Sequence, residues 1–234
     1  MRPTRCSPGS VRKQAMLARR EPEVVQPSLT VIAGPNGSGK TTLTQLLGKT
    51  VGIGVLVNAD QMAARIAGES GLSIDDPSLQ MKAAVAAEEM RWALLDQRVS
   101  FVAETVMSDR ARWIRFFEEA RKRGFKRTLV FVTTNDPEVN VARVAQRVAA
   151  GGHNVDRAKI IDRYRKVHDF LPEALRFFDE AWFFDNSSPE GKMLLVMTST
   201  AQGGLHLECT EADVPAWAKH LARLVADDAV THHR

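Results

Sequence analysis

Apolar and polar positions follow two periods along this chain, and the switches between them mark its elements. Leu29-Thr30-Val31-Ile32-Ala33 is a short, β-branched apolar run that predicts a buried strand. Thr42 to Leu47 then reads as helix, with Leu43, Leu46 and Leu47 on one face. Gly52 to Val57 predicts a second strand, ending in Asn58-Ala59-Asp60, with a short helix from Gln61 to about Ala67. After a Gly/Ser/Asp-rich loop to Pro77, Ser78 to Gln97 is strongly helical in composition. Its expected inward stripe is Met81, Ala84, Val85, Trp92 and Leu95, interrupted by Glu88. Val99 to Glu104 predicts the third strand, and Ser108 is the expected cap of a helix burying Trp113, Phe116, Phe117 and Ala120, stopped by Gly124.

The alternation continues. Thr128 to Thr133 reads as strand, and Asp136-Pro137-Glu138 opens a helix to about Ala150 with a cap, a first-turn Pro and an early acid. Gly151-Gly152 breaks it, and a further helix covers about Asp156 to Phe170, ended near Pro172. Glu180 to Asp185, Met193 to Met197 and Gly204 to Leu207 are the last strands, and Pro215 to Val225 the last helix. Strands alternating with helices predict an α/β fold, a mainly parallel sheet with helices on both faces and an antiparallel edge at its late strands.

Between the first strand and first helix stands Gly34-Pro35-Asn36-Gly37-Ser38-Gly39-Lys40-Thr41-Thr42, which fits the phosphate-binding loop G-x-x-x-x-G-K-[ST]. Its glycines let backbone N–H groups close on phosphate oxygens, Lys40 reaches the outer phosphates, and the Thr41 hydroxyl ligates Mg²⁺. The chain is therefore expected to bind a nucleoside triphosphate with magnesium. In a doubly wound sheet, ligands lie outside the carboxyl ends of the strands. Asp60, Glu104 and Thr105 end strands there. Asp60 is the expected general base, at the end of the strand expected beside the first one, with Asn58 two residues earlier. Glu104 serves the second substrate, a structural hydrogen bond or a water-bridged Mg²⁺. A second constellation, Arg143, Arg147, His153, Arg157, Arg163 and Arg165, lies on a helix–Gly-Gly–helix hairpin. Arg143 and Arg147 share a face, as expected of a lid that neutralises a transferring phosphoryl. The Asp185-Asn186-Ser187 turn is expected near the nucleotide base.

Composition narrows the classes. With 44% hydrophobic and 26% charged residues among 234, the chain suits one globular domain, about 28–234, with a lid over about 137–171. The net charge of +4 conceals a split: the first twenty residues carry six Arg or Lys and no acid, leaving −2 for the remainder. The first 27 residues read as a flexible basic lead-in, and the folded part has no basic face for nucleic acid. No apolar run approaches the roughly 20 residues of a membrane span. Without an export signal, Cys6 and Cys209 are expected to be free thiols in a cytoplasmic protein. There is no L-S-G-G-Q stretch of an ABC-type ATPase.

In order, the P-loop from Ala33, Asn58-Ala59-Asp60, Glu104-Thr105-Val106-Met107-Ser108, the run from Arg143 to Val155 containing Gly151-Gly152-His153, then Arg163-Tyr164 and Asp185-Asn186-Ser187 resemble the zeta-toxin family of P-loop kinases, in its small bacterial members. The resemblance covers about residues 28 to 188. Zeta toxins phosphorylate the sugar 3′-hydroxyl of UDP-N-acetylglucosamine with ATP or GTP. The resemblance implies that Asp60 deprotonates the hydroxyl, that Lys40, Arg147 and Arg163 hold the γ-phosphate, and that Glu104 and Thr105 touch the sugar nucleotide. It also implies an antitoxin partner. Asp156 and Asp162 depart from the family, which carries Pro and a second Arg there. The alternatives are a kinase for another small molecule or a polynucleotide end, and a nucleotide-driven ATPase switch without an acceptor.

Overall fold

The computed structural model describes residues 26–50, 54–200 and 204–231; the basic lead-in to residue 25, Cys6 and the expected strand start at Gly52 lie outside them. Seven strands form one sheet: β1 (Ser28–Ala33), β2 (Val55–Asn58), β3 (Phe101–Thr105), β4 (Lys126–Thr133), β5 (Glu180–Asp185), β6 (Leu194–Thr200) and β7 (Leu205–Leu207). The helices are α1 (Lys40–Thr50), α2 (Ala59–Ser70), α3 (Pro77–Asp96), α4 (Arg110–Lys122), α5 (Pro137–Ala149), α6 (Arg157–Ala174) and α7 (Ala216–Thr231). The strand order is β2-β3-β1-β4-β5-β6-β7. The first five run parallel, while β6 and β7 are antiparallel at one edge, as the late strands predicted.

One pairing differs from the expectation. β2 does not lie beside β1; β3 stands between them, pairing Ile32 with Glu104 on one side and Asn58 with Glu104 on the other. The strand that ends in a carboxylate next to the P-loop strand is therefore β3. Sequence order alone suggested the nearer neighbour, but parallel strands need a crossover and need not be adjacent in the chain.

Alternation along β1 feeds both faces. Leu29, Val31 and Ala33 enter the larger core with the α4 aromatics, Val167, Phe170 and Trp217, while Ile32 joins Leu43 of α1, Val102, Val130 and Val132 on the other face. α4 presents the expected stripe of Trp113, Phe116, Phe117 and Ala120, all buried. Its rings meet edge-on, Trp113 to Phe116 at 5.6 Å and Phe117 to Phe178 at 4.8 Å, each pair worth about 0.5–1.5 kcal/mol beyond the area it buries.

Four local expectations are corrected. Leu46 is 59% exposed, so α1 seats Leu43, Thr44 and Leu47 rather than Leu46. The buried stripe of α3 is Leu79, Ala83, Ala87, Arg91 and Leu95, whereas Met81 and Val85 face solvent. Asp109, not Ser108, caps α4 by accepting from the Arg112 N–H. α6 runs through Pro172 to Ala174, which the burial of Phe170, Leu171 and Ala174 against the core supports.

Candidate functional site

The P-loop is a turn whose glycines are set by their surroundings as well as by phosphate. Gly34 has φ +147°, and a Cβ there would run into the Val132 carbonyl of β4; Gly37, at φ +75°, packs against the backbone of Asn140. Three side chains pin the loop from other elements. Asn140 Nδ2 donates to the Asn36 carbonyl at 2.7 Å, Arg163 Nη1 to Asn36 Oδ1 at 3.1 Å, and Asn186 Nδ2 to the Ser38 carbonyl at 2.8 Å. The Asp185-Asn186-Ser187 turn, expected at the nucleotide base, thus abuts the phosphate loop itself. Asn140 was not singled out from the sequence, because it looks like any polar residue in the first turns of a helix. It is completely buried, and its Oδ1 accepts from the Thr134 hydroxyl.

Lys40 opens α1 at the end of the loop. It is buried, with Nζ donating to the carbonyls of Gly34 at 2.9 Å and Pro35 at 2.7 Å. Burial pushes its ammonium down to about 8; Glu104 and Asp60 pull it up, and Arg147 and Arg163 push it further down. Glu104, at the end of β3, accepts from the Thr41 hydroxyl at 2.6 Å and the Thr44 hydroxyl at 2.9 Å. Mg²⁺ usually takes one or two carboxylates plus substrate phosphates rather than an all-protein cage. Thr41 beside Glu104 fits that pattern, and no cluster of three ligating side chains exists among the described residues.

Asp60 lies in the first turn of α2, exposed and on the wall of the same cleft. Asn58 is the cap that sets it there, its Oδ1 accepting from the N–H groups of Asp60 at 2.8 Å and Gln61 at 3.2 Å. Asp60 acts electrostatically on both Lys40 and Arg163. Thr105 Oγ1 accepts from the Met107 N–H, turning the loop after β3. Met107 is buried with φ +61°, a left-handed conformation rare for such a side chain and often stored at functional sites.

Arg143, Arg147 and Arg163 all line this cleft of about 670 Å³ together with Lys40, Thr41, Asp60 and Glu104. Arg147 Nη2 donates to the His153 carbonyl at 2.9 Å and Arg143 Nη2 to the Ser188 carbonyl at 3.2 Å. Arg143 Nη1 and Arg147 Nε are buried without a partner, as are Ser38 Oγ and Asn186 Oδ1. Burial lowers the Arg163 pKa, against Asp60 and Asp162. His153 stands apart from the cleft: its ring bonds Asp75 at 2.7 Å, and its contribution to the site is the carbonyl that orients Arg147. Arg157 pairs with Glu138 on the exposed side.

A strand feeding a glycine loop onto a helix, in a largely parallel sheet with helices on both faces, defines the α/β P-loop kinase-like fold. The family model described as AAA domain matches residues 29–171, and the chain belongs to that family. Over 149 residues it is 28% identical to an uncharacterized protein of Haemophilus influenzae, covering 64% of this chain and 99% of that one. Among solved structures, AvrRxo1-ORF1:-ORF2 with ATP aligns at TM-score 0.65 and 18% identity over 86% of this chain, which spans 63% of that chain's length. A chain of the PezAT chromosomal toxin–antitoxin system of Streptococcus pneumoniae aligns at TM-score 0.54 and 15% identity, covering 89% of this chain and 88% of that chain. At these identities the likeness is one of fold. Among the described residues no helix is long and apolar enough to cross a membrane.

Proposed function

We propose that the protein is an ATP- or GTP-dependent phosphotransferase of the zeta-toxin kind, acting on a sugar hydroxyl of UDP-N-acetylglucosamine. The observation that carries the reading is that the P-loop, three arginines of the α5–α6 hairpin and the exposed carboxylate of Asp60 line a single cleft. The P-loop N–H groups cradle the phosphates, and Lys40 exchanges its loop carbonyls for phosphate oxygens. Arg147 and Arg163 neutralise the γ-phosphoryl, and Arg143 supplies the donor it now leaves unmatched. Thr41, with Glu104 behind it, holds Mg²⁺, which neutralises charge on the phosphates when bound. Asp60 takes the proton of the sugar hydroxyl as that oxygen bonds to the γ-phosphorus and the bond to the bridging oxygen breaks, releasing ADP. Residues 137–171 act as the lid, and an antitoxin protein is the partner such a kinase needs.

The test incubates purified protein with Mg-ATP and UDP-N-acetylglucosamine and reads an added phosphoryl group by mass spectrometry. Asp60→Asn is nearly isosteric and unable to accept the proton. It is expected to lose about 10²–10⁴-fold in rate with ATP affinity kept. Wild-type modification of another small molecule or a polynucleotide end, with the sugar nucleotide untouched, replaces the acceptor. Hydrolysis of ATP with no phosphorylated product replaces the kinase by a switch. Equal rates for Asp60→Asn and wild type remove Asp60 from the chemistry.

A further inference from the structure

The cleft holds a cation that the phosphate chemistry does not use. Arg91 sits on the buried stripe of α3, only 9% exposed, and lines the cleft. Its guanidinium lies over the Trp113 ring, 5.1 Å from the centroid. Among the described residues Arg91 forms no hydrogen bond and no ion pair. Its neighbour Arg112 is different: both ends of its fork are engaged by Glu88, Nε at 2.9 Å from Oε1 and Nη2 on Oε2. Burial alone pushes Arg91 down to about 10, with no carboxylate offsetting it. A largely desolvated guanidinium without a counter-charge is costly, and a perturbed charge in a cleft points to a functional site. The wall of the same cleft includes Val106, Met107, Ser108 and Trp113, with Met107 held in its left-handed conformation. The Asp109 carboxylate also lies on this wall, occupied in capping α4.

We infer that Arg91, stacked on Trp113, is a specificity-determining subsite for an oxyanion carried by the acceptor, remote from the hydroxyl that is phosphorylated. The ring contact uses none of the N–H donors of the planar fork, which suits a phosphate or carboxylate gripped in a bidentate fashion. The acceptor is thus an anionic small molecule, and neutral or cationic alcohols are rejected because they leave Arg91 unpaired. The place of this subsite in a reaction rests on the acceptor-kinase reading above; its existence does not.

The experiment is a binding measurement with the P-loop filled by a non-hydrolysable ATP analogue and Mg²⁺. UDP and glucuronate are titrated separately, so that phosphate and carboxylate sources are told apart, with N-acetylglucosamine as the neutral control. Wild type is expected to bind at least one of the two anions, and Arg91→Met, which keeps the stem over Trp113, to weaken that binding about 10- to 100-fold. Affinity for the ATP analogue stays the same, and the ligand-free melting temperature does not fall. Arg91→Lys keeps the charge without the fork and is expected to bind at an intermediate level, which serves if Arg91→Met fails to fold. Wild type that binds neither anion, or variants that bind them as wild type does, overturns the inference. Failure of phosphoryl transfer to UDP-N-acetylglucosamine breaks the acceptor reading and leaves this result standing.

Discussion

The two ends of the sheet treat charge in opposite ways. At the amino end of the strands, Arg127 is buried and gives three N–H donors to one carboxylate: its backbone N–H to Asp179 Oδ2 at 2.7 Å, Nε to the same oxygen at 3.1 Å, and Nη2 to Oδ1 at 2.6 Å. Lys126 pairs with Glu180 at 2.5 Å beside it, and Asp179 N–H closes back on the Arg127 carbonyl at 2.8 Å. Apart from Arg127 Nη1, that end answers its own polar groups. At the carboxyl end, Lys40 rests on loop carbonyls, Arg143 and Arg147 each keep an unmatched buried nitrogen, and Arg91 has only a ring. One end pairs its charges almost entirely within the fold; the other leaves several donors unmatched.

The largest effect that sharpens this contrast is a pH dependence. Lys40 has a folded pKa of about 8 against 10.5 for an unperturbed lysine. Between those values the unfolded chain binds the extra proton, so the ligand-free protein gains stability as pH rises from about 8 to about 10.5. The gain is up to about 3 kcal/mol, and below pH 8 the full penalty is present. Denaturation of wild type and Lys40→Met across that window reads it. Wild type is expected to rise relative to the variant, and ATP to abolish the trend by supplying counter-charge. A flat difference breaks the claim that burying the Lys40 ammonium costs stability.

The next effect belongs to the other end. Asp179→Asn leaves the Arg127 charge unanswered and is expected to cost about 2 kcal/mol, read as a lowered urea midpoint with ATP affinity unchanged. A loss of nucleotide binding in that variant would merge two regions that are separate here. Smaller still, Asn140→Ala removes the tie from α5 to the Asn36 carbonyl, an expected loss of about 1 kcal/mol. Calorimetry of ATP binding is expected to register it more clearly than thermal melting does, because the bond holds the loop rather than the core.

These contrasts explain what the sequence disclosed. The β1 run, the P-loop spacing and the aromatic stripe of α4 are written in local pattern, and each stands where expected. The α3 stripe was hidden because two alanines and an arginine separate its two leucines on the buried face, while Met81 and Val85 gave the stronger apolar signal and face water. Glu104 was hard to place because its neighbours depend on the order of strands, which no local period encodes. Asn140 and Arg91 were missed for the same reason: an isolated polar residue on a helix carries no sign of what a distant strand or ring will bring to it. The Leu171-Pro172 step misled in the other direction, since tertiary packing outweighs the helix cost of a proline.

The sheet ends in short strands on both sides. β2 has four residues and β7 three. An unpaired strand margin is a template on which other chains can assemble into fibrous or amorphous deposits, and its danger grows with its length. Margins this short offer an incoming chain few hydrogen bonds, which favours a protein that stays dispersed when it is made in quantity.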